Sequence, residues 1–574
     1  MLKLFQLLKP YRKSIAVMLI LLFLQSLSQL FLPTLMAAIV DTGIVNEDIA
    51  YIIQIGALML FVTAMIGVFS IWGSLFAAKV TAGFSRDVRE KVFTRVENFS
   101  LKEFDQLGTS SLITRTTNDV MQVQQVLTML LRTMITAPML FIGAFFIALW
   151  MNPTLSLVIF APLPLIIISI FVIAKKAIPL FKSLKEKTDH LNLILREGLT
   201  GVGTVRAFNR TEHEGRRFNE ANLDFSETAT TVNRMIAILT PVMTIILNFT
   251  IIALIWIGAF RIEAGSLQVG ELMAFIQYAM QIMFSLIMAS VMFVAIPRAS
   301  VSAKRINEIL DTDTSVKDPE YPVEAGEHRG EIEFRDISFS YPQAEKSVLS
   351  AVSFQVNPGE ITAIIGGTGA GKSTLASLLL RFYDIHHGSI LLDGIDIRNI
   401  SQQKLREKIG FVSQQAHLFR GTIADNIRYG NETATKEDLY HAAAVSEARF
   451  ISQLENGFDT TVSRFGTNLS GGQRQRIAIA RALLRNPEVY IFDDSFSALD
   501  AKTTATLFSS LRKETGDSSV LMVTQRATIA EQADKIIVLD EGMIAGAGSH
   551  EELKETCGVY QEIVSSQDFE EEVS

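Results

Sequence analysis

Along the first half of the chain the apolar positions neither alternate nor form stripes; they run together. Uncharged stretches occupy residues 14–40, 49–78, 133–174, 235–260 and 272–297. Each can cross about 30 Å of hydrocarbon at about 1.5 Å per helical residue. The third has roughly twice the needed length and carries WMNPTLS near its centre, so Asn152 and Pro153 are expected to turn the chain between two spans. Six spans result. The polar positions orient them. Lys3, Lys9, Arg12 and Lys13 precede the first span, the following DTGIVNED has no basic residue, and 79–132 and 175–234 are rich in Lys and Arg. Basic residues collect on the inner side of a membrane, which places both termini and the second half of the chain in the cytoplasm of a multi-pass cell-membrane protein. The two basic segments keep helical periodicity with few breakers, so the helices should continue beyond the lipid and turn near KEFDQLGTSS and RAFNRTEHEG. The basic leader with its apolar run resembles a secretory signal, but the run is too long and more spans follow, so it reads as a retained first span.

From residue 331 the pattern changes to short β-branched runs alternating with helical ones, as in an α/β domain. The preceding residues 313–330 are rich in Pro, Gly and charge and read as a linker. Composition agrees with two bodies. At 574 residues and 49% apolar the chain is too long and too hydrophobic for one soluble domain. A net charge of -8 argues against a nucleic-acid partner, and the single Cys557 excludes an intrachain disulfide framework.

The strongest local chemistry is ITAIIGGTGAGKSTLASLLL. A buried strand leads into Gly366, then Gly371, Lys372 and Ser373 at P-loop spacing, with Gly367, Thr368, Gly369 and Ala370 between and Thr374 after. Glycines let backbone N–H groups wrap a β-phosphate, the lysine reaches β and γ oxygens, and the serine hydroxyl serves Mg²⁺. The helix N-terminus adds partial positive charge. No G-x-G-x-x-G fits these glycines, which disfavours a Rossmann dinucleotide site. A second anion site is expected in NLSGGQRQRIAIARALL. Ser470 and Gln473 have capping-box spacing, while Gly471 and Gly472 are costly in a first turn unless something approaches the backbone closely.

In this order and spacing, GGTGAGKS, LSGGQ and SALD resemble the Walker A, signature and D-loop motifs of an ATP-binding cassette. With six spans ahead, nearly the whole chain resembles a half-size ABC exporter. The resemblance implies an all-α six-helix transmembrane domain over 1–312 followed, after the linker, by an α/β P-loop cassette over 331–574. It implies ATP and Mg²⁺, bound between one chain's P-loop and the facing chain's signature. Tyr341 would then stack on adenine, Gln414 would be the Q-loop residue, and Asp493 would help Ser373 and Gln414 hold Mg²⁺. Asp500 would end the D-loop, and Ser470, Gly471, Gly472 and Gln473 would complete the partner's site. Residues 104–109 and 207–214 would be the coupling loops.

Three positions depart from the family pattern. A glutamate is expected after the Walker B aspartate, and this chain has Asp494, one methylene shorter. A switch histidine is expected where VLMVTQRATI has Gln525, which can donate a hydrogen bond but cannot become cationic. Segment 462–466 reads VSRFG, with Arg464 in place of an acid. Binding residues are intact while the hydrolytic positions are changed. The expectation is a heterodimer, in which this chain retains ATP and its signature completes an active site on a non-identical half-transporter with the glutamate and histidine in place.

The cargo is less legible. The last span contains Met273, Met280, Met283, Met288 and Met292 with Phe275, Phe284 and Phe293, which suit an adaptable site for lipophilic or drug-like compounds or, equally, packing and lipid contact. Gln277 and Gln281 lie one helical turn apart and could line a wet cavity or bond a neighbouring helix. No acidic residue lies within the uncharged runs. Export of lipophilic compounds is the leading expectation; a lipid flippase and a regulatory ATP-binding subunit are the alternatives.

Overall fold

A computed structural model of the chain describes residues 1–323, 330–342, 344 and 346–573. It divides into two compact units: Met1–Glu97 with Thr109–Thr312, and Asn98–Gly108 with Asp313–Ser574.

The first unit is helical, and six helical segments are long and apolar enough to span a membrane: Lys3–Ile44, Ile49–Glu97, Thr109–Met151, Pro153–Thr200, Thr211–Glu263 and Val269–Ala289. The break inside the long third run falls where the turn chemistry put it. Asn152 leaves the helical region and its side chain accepts from the Leu155 amide at 3.2 Å, while Pro153 takes the first helical position, where no N–H is needed. Ile49–Glu97 has 49 residues and Thr211–Glu263 has 53. At a rise of about 1.5 Å they extend about 74 and 80 Å, more than twice the hydrocarbon thickness. Small residues let the helices approach closely. A methyl added at Gly143 would lie 2.2 Å from Leu30, and one at Gly258 would lie 2.6 Å from Leu272.

Polar groups in the last span mostly serve this packing. The fully buried Tyr278 donates to the Leu30 carbonyl at 3.0 Å and shares a 2.8 Å bond with the Thr34 hydroxyl. Gln281 Nε2 donates to the Gln29 carbonyl at 3.4 Å, whereas its Oε1 is buried without a partner. Phe275, Met283 and Met292 are buried; Met273, Met280, Phe284 and Met288 are exposed on the helix surface. The Phe293 side chain lies outside the described residues. Tyr278→Phe should lower stability by on the order of 1 kcal/mol, read as a lower unfolding temperature in detergent.

Among its described residues the second unit holds two principal sheets. A four-stranded antiparallel sheet runs Leu349–Val356, Ile332–Phe339, His387–Leu392 and Ile395–Asp396. A six-stranded sheet runs Met543–Gly548, Lys535–Asp540, Ile361–Gly366, Ser519–Val523, Val489–Asp493 and Ile409–Val412, parallel except at its Met543–Gly548 edge. Ile361–Gly366, Val489–Asp493 and Ser519–Val523 are buried at every residue, as expected for central parallel strands covered on both faces. Their C-terminal ends deliver the P-loop, Asp493 and the segment leading to Gln525.

The short helix Leu101–Leu107 belongs to this unit although the helices on either side of it, Ile49–Glu97 and Thr109–Thr114, do not. Ser100 and Glu103 form a capping box at its start, and Glu103 Oε1 also accepts from the Ser315 amide at 3.2 Å. Asp105 accepts from the Tyr383 hydroxyl at 3.2 Å. Part of the expected linker is bound here too. The Lys317 carbonyl accepts from Arg381 at 2.8 Å, and Asp318 accepts from the Gln402 amide at 2.9 Å. Residues 324–329 lie outside the described residues.

Candidate functional site

The loop between the strand Ile361–Gly366 and the helix Lys372–Leu379 is shaped by glycine. Gly369 and Gly371 have φ of 84° and 96°, a region that L side chains rarely adopt. A methyl at Gly367 or Gly369 would meet nothing within 4 Å, so open space lies before the loop. The buried Lys372 curls back, its Nζ donating to the Gly366 and Gly367 carbonyls at 2.8 and 2.7 Å. Burial lowers its pKa, opposed by the charges of Asp494 and Asp493. Ser373 Oγ donates to Asp493 Oδ1 at 2.8 Å. The Asp493 carboxyl is held above its usual range by burial, with the Asp494 charge adding to the effect and Ser373 and Lys372 opposing it.

Asp494 follows in the left-handed region at φ 46°, its amide bonded to the Val523 carbonyl at 2.9 Å. Its Oδ2 accepts from Gln414 Nε2 at 3.3 Å. Burial raises its pKa despite that bond and the nearby Lys372 and Arg526 charges. A carboxyl whose folded pKa is raised contributes stability that is present below its unfolded value and lost as pH rises through the folded value. Asp494→Asn should therefore raise the unfolding temperature of the nucleotide-free protein at neutral pH. The gap should close as the pH is lowered through the raised value, as followed by calorimetry.

These groups fit Mg-ATP. The glycine loop offers amides to phosphates, Ser373 and Asp493 already share one locus, and Gln414 keeps its amide oxygen available while its nitrogen engages Asp494. Among the described residues no cluster of three His, Cys, Asp or Glu side chains could hold a metal. Tyr341 lies at the edge of a 320 Å³ cavity also lined by Phe339, Tyr383, His386, Lys102 and Ser315. Its hydroxyl bonds the Thr374 hydroxyl at 3.1 Å, and its ring meets Tyr383 edge-on at 5.3 Å.

Ser470 and Gln473 form the expected capping box: the Ser470 hydroxyl accepts from the Gln473 amide at 3.3 Å, and the Gln473 side chain accepts from the Ser470 amide at 2.8 Å. The close approach demanded by the glycines comes from the same chain. A methyl at Gly472 would lie 3.0 Å from the Ala498 carbonyl, whereas one at Gly471 would only touch the Ala498 methyl at 3.5 Å. Asp500 caps the helix Ala501–Glu514, accepting from the Thr503 amide and hydroxyl at 2.8 and 2.7 Å. Among the described residues no hydrogen bond joins Ser470, Gly471, Gly472 or Gln473 to the P-loop. In VSRFG, the exposed Arg464 lies over the Phe465 ring at 4.9 Å.

The Gln525 side chain is exposed. The residues that hold its surroundings were not legible as functional: Arg526 donates to the Ser497 and Leu499 carbonyls at 2.9 and 3.4 Å, and buried Gln475 accepts from the Ala498 amide at 3.3 Å. Gln567 bonds backbone groups on both sides of Arg526. Position beside Gln525 was the one signal that could have marked Arg526; nothing local marks Gln475 or Gln567.

A helical unit with six membrane-length segments, joined to an α/β unit with a P-loop and a glycine-rich capped helix, defines a membrane transporter class powered by nucleotide. Residues 15–286 match the family model described as ABC transporter transmembrane region, and residues 349–497 match the one described as ABC transporter. The chain is 39% identical over 563 residues to an uncharacterized ABC transporter ATP-binding protein of Mycobacterium tuberculosis, covering 97% of each. It is 34% identical over 519 residues to an ATP-dependent lipid A-core flippase of Pseudomonas fluorescens, covering 90% of this chain and 86% of that one. A bacterial Atm1-family ABC exporter solved with ATP bound superimposes with a TM-score of 0.83 at 26% identity, covering 97% and 98% of the two chains. The chain belongs to the ABC transporter family and is a half-size, multi-pass membrane exporter.

Proposed function

We propose that this chain is one half of a heterodimeric exporter, which retains ATP at its own P-loop and completes a faster site on a non-identical partner with Ser470, Gly471, Gly472 and Gln473. The observation that carries this reading is the contrast within one site. Lys372 bonds the Gly366 carbonyl and Ser373 bonds Asp493, an arrangement that would receive nucleotide, while the positions that should activate water and sense the γ-phosphate hold Asp494 and Gln525. Tyr341 would stack on the adenine, and Ser373, Asp493 and Gln414 would hold Mg²⁺. The metal would supply neutralisation of charge on the transferred phosphoryl group. Closing two cassettes on ATP favours one arrangement of the spans over another, and hydrolysis on the partner resets it. Both termini and the cassette lie on the cytoplasmic side, from the Lys and Arg bias. The cargo is lipophilic or drug-like, carried in a bundle whose last helix is rich in Met and Phe.

A lipid cargo is the second reading, and it is favoured by the relatives named as lipid A-core flippases. Reconstitution separates the readings. The chain with its partner in lipid vesicles should hydrolyse ATP on the order of a hundredfold faster than the chain alone, by the cost of misplacing one catalytic group. Efflux of a lipophilic dye supports the first cargo, and movement of a labelled lipid between leaflets supports the second. Equal ATPase from the chain alone would end the heterodimer reading. Absence of any cargo-stimulated ATPase in the pair would point to a regulatory subunit.

A further inference from the structure

The C-terminal helix Gly558–Val573 reaches back to the loop that carries Gln525, and one side chain makes the connection. Gln567 Nε2 donates to the Gln525 carbonyl at 2.7 Å, and Gln567 Oε1 accepts from the Ala527 amide at 2.7 Å. A carboxamide offers a donor and an acceptor in one plane, so it can bridge two backbone groups of opposite polarity. The helix that presents it is firmly seated. Tyr560 is fully buried in a cluster with Ala363, Ile365, Ile536 and Val538, and its hydroxyl bonds His550 Nδ1 at 2.8 Å. Ala363 and Ile365 belong to the strand that ends in the P-loop. The opposite flank is held by Arg526 on the Ser497 and Leu499 carbonyls. The backbone on both sides of Arg526 is thus fixed while the Gln525 side chain remains exposed.

We infer that Gln567 is a positioning residue for the nucleotide site: by clamping the Gln525 carbonyl and the Ala527 amide it sets where the Gln525 carboxamide meets a γ-phosphate, and so how long ATP stays. The inference rests on the proposed retention of ATP at this chain's own P-loop. The clamp links the C-terminal helix to nucleotide dwell time without touching the nucleotide.

The test uses the full-length chain assembled with its partner in lipid nanodiscs, radiolabelled Mg-ATP, and three variants: Gln567→Ala, Gln567→Glu and Gln525→Ala. Dwell of ATP on this chain and hydrogen exchange of the Ala527 amide are read together. Gln567→Ala should shorten dwell about tenfold and speed Ala527 exchange by a similar factor, with the global unfolding temperature unchanged. Gln567→Glu keeps an acceptor for the Ala527 amide but has no donor for the Gln525 carbonyl, so it should retain amide protection yet shorten dwell, a split that loss of helix docking would not produce. Parental dwell in Gln567→Ala while Gln525→Ala shortens it overturns the inference alone, as does unchanged Ala527 exchange. Parental dwell in all three, Gln525→Ala included, overturns the clamp alone, whereas ATP that leaves the parental chain as fast as it leaves the partner's site overturns the retention reading on which the clamp rests.

Discussion

Asp494→Glu combined with Gln525→His raises ATP turnover at this chain's own site by about a hundredfold, the factor that about 1 Å of displacement of a positioned group can cost. Geometry makes the pair of changes the relevant one. The Asp494 backbone is tied to the Val523 carbonyl, so it cannot move forward to make up for its missing methylene, and its carboxylate leans on Gln414 instead. Glutamate carries its carboxylate one methylene further from the same fixed backbone. Histidine at 525 adds a group that can carry and exchange a proton, which a carboxamide cannot. A cost accompanies the gain. At φ 46° aspartate is better tolerated than glutamate, so the variant should be slightly less stable than the parent. The measurement is single-turnover hydrolysis in the assembled pair with the partner's own hydrolytic site silenced. A rate unchanged from the parent would mean that water positioning at Asp494 is not what limits this site.

Gly471→Asp has the opposite profile: the chain folds as well as the parent, and the pair loses ATPase and transport by on the order of a hundredfold or more, as when an electrostatic stabiliser is removed or reversed. Room exists for the side chain, since an added methyl meets only the Ala498 methyl at ordinary contact distance. A carboxylate in the first turn of Gly471–Leu484 even suits the helix dipole. In the proposed pair, the same negative charge would sit where the partner's nucleotide phosphates come. ATP dwell on this chain's own P-loop should remain parental, and unfolding temperature should hold or rise. Undiminished ATPase of the pair would show that this signature does not complete the partner's site.

Much of this architecture was legible because it is decided by short-range chemistry. Lipid forces long uncharged runs, and Asn152 followed by Pro153 caps and starts a helix with atoms no more than three residues apart. The P-loop and the Ser470 capping box are legible for the same reason. Their geometry is carried by neighbours along the chain. The buried strands beneath the site were legible as apolar runs but their order was not, because parallel partners such as Ile361–Gly366 and Ser519–Val523 are joined only through long crossovers.

By itself, then, the sequence determined six spans, an α/β cassette, a glycine-rich loop, a capped glycine-rich helix start and the identity of the altered residues, because helix caps, glycine turns and lipid-length runs are written in residues a few positions apart. Only the tertiary structure decided that Asp105 meets Tyr383, that Gly472 lies close against its own Ala498, that Gln414 supports Asp494, and that Gln567 holds the loop of Gln525. Each of those contacts joins segments tens to hundreds of residues apart. Their partners are chosen by which strand ends and helix faces the fold brings side by side, and no local propensity encodes that choice.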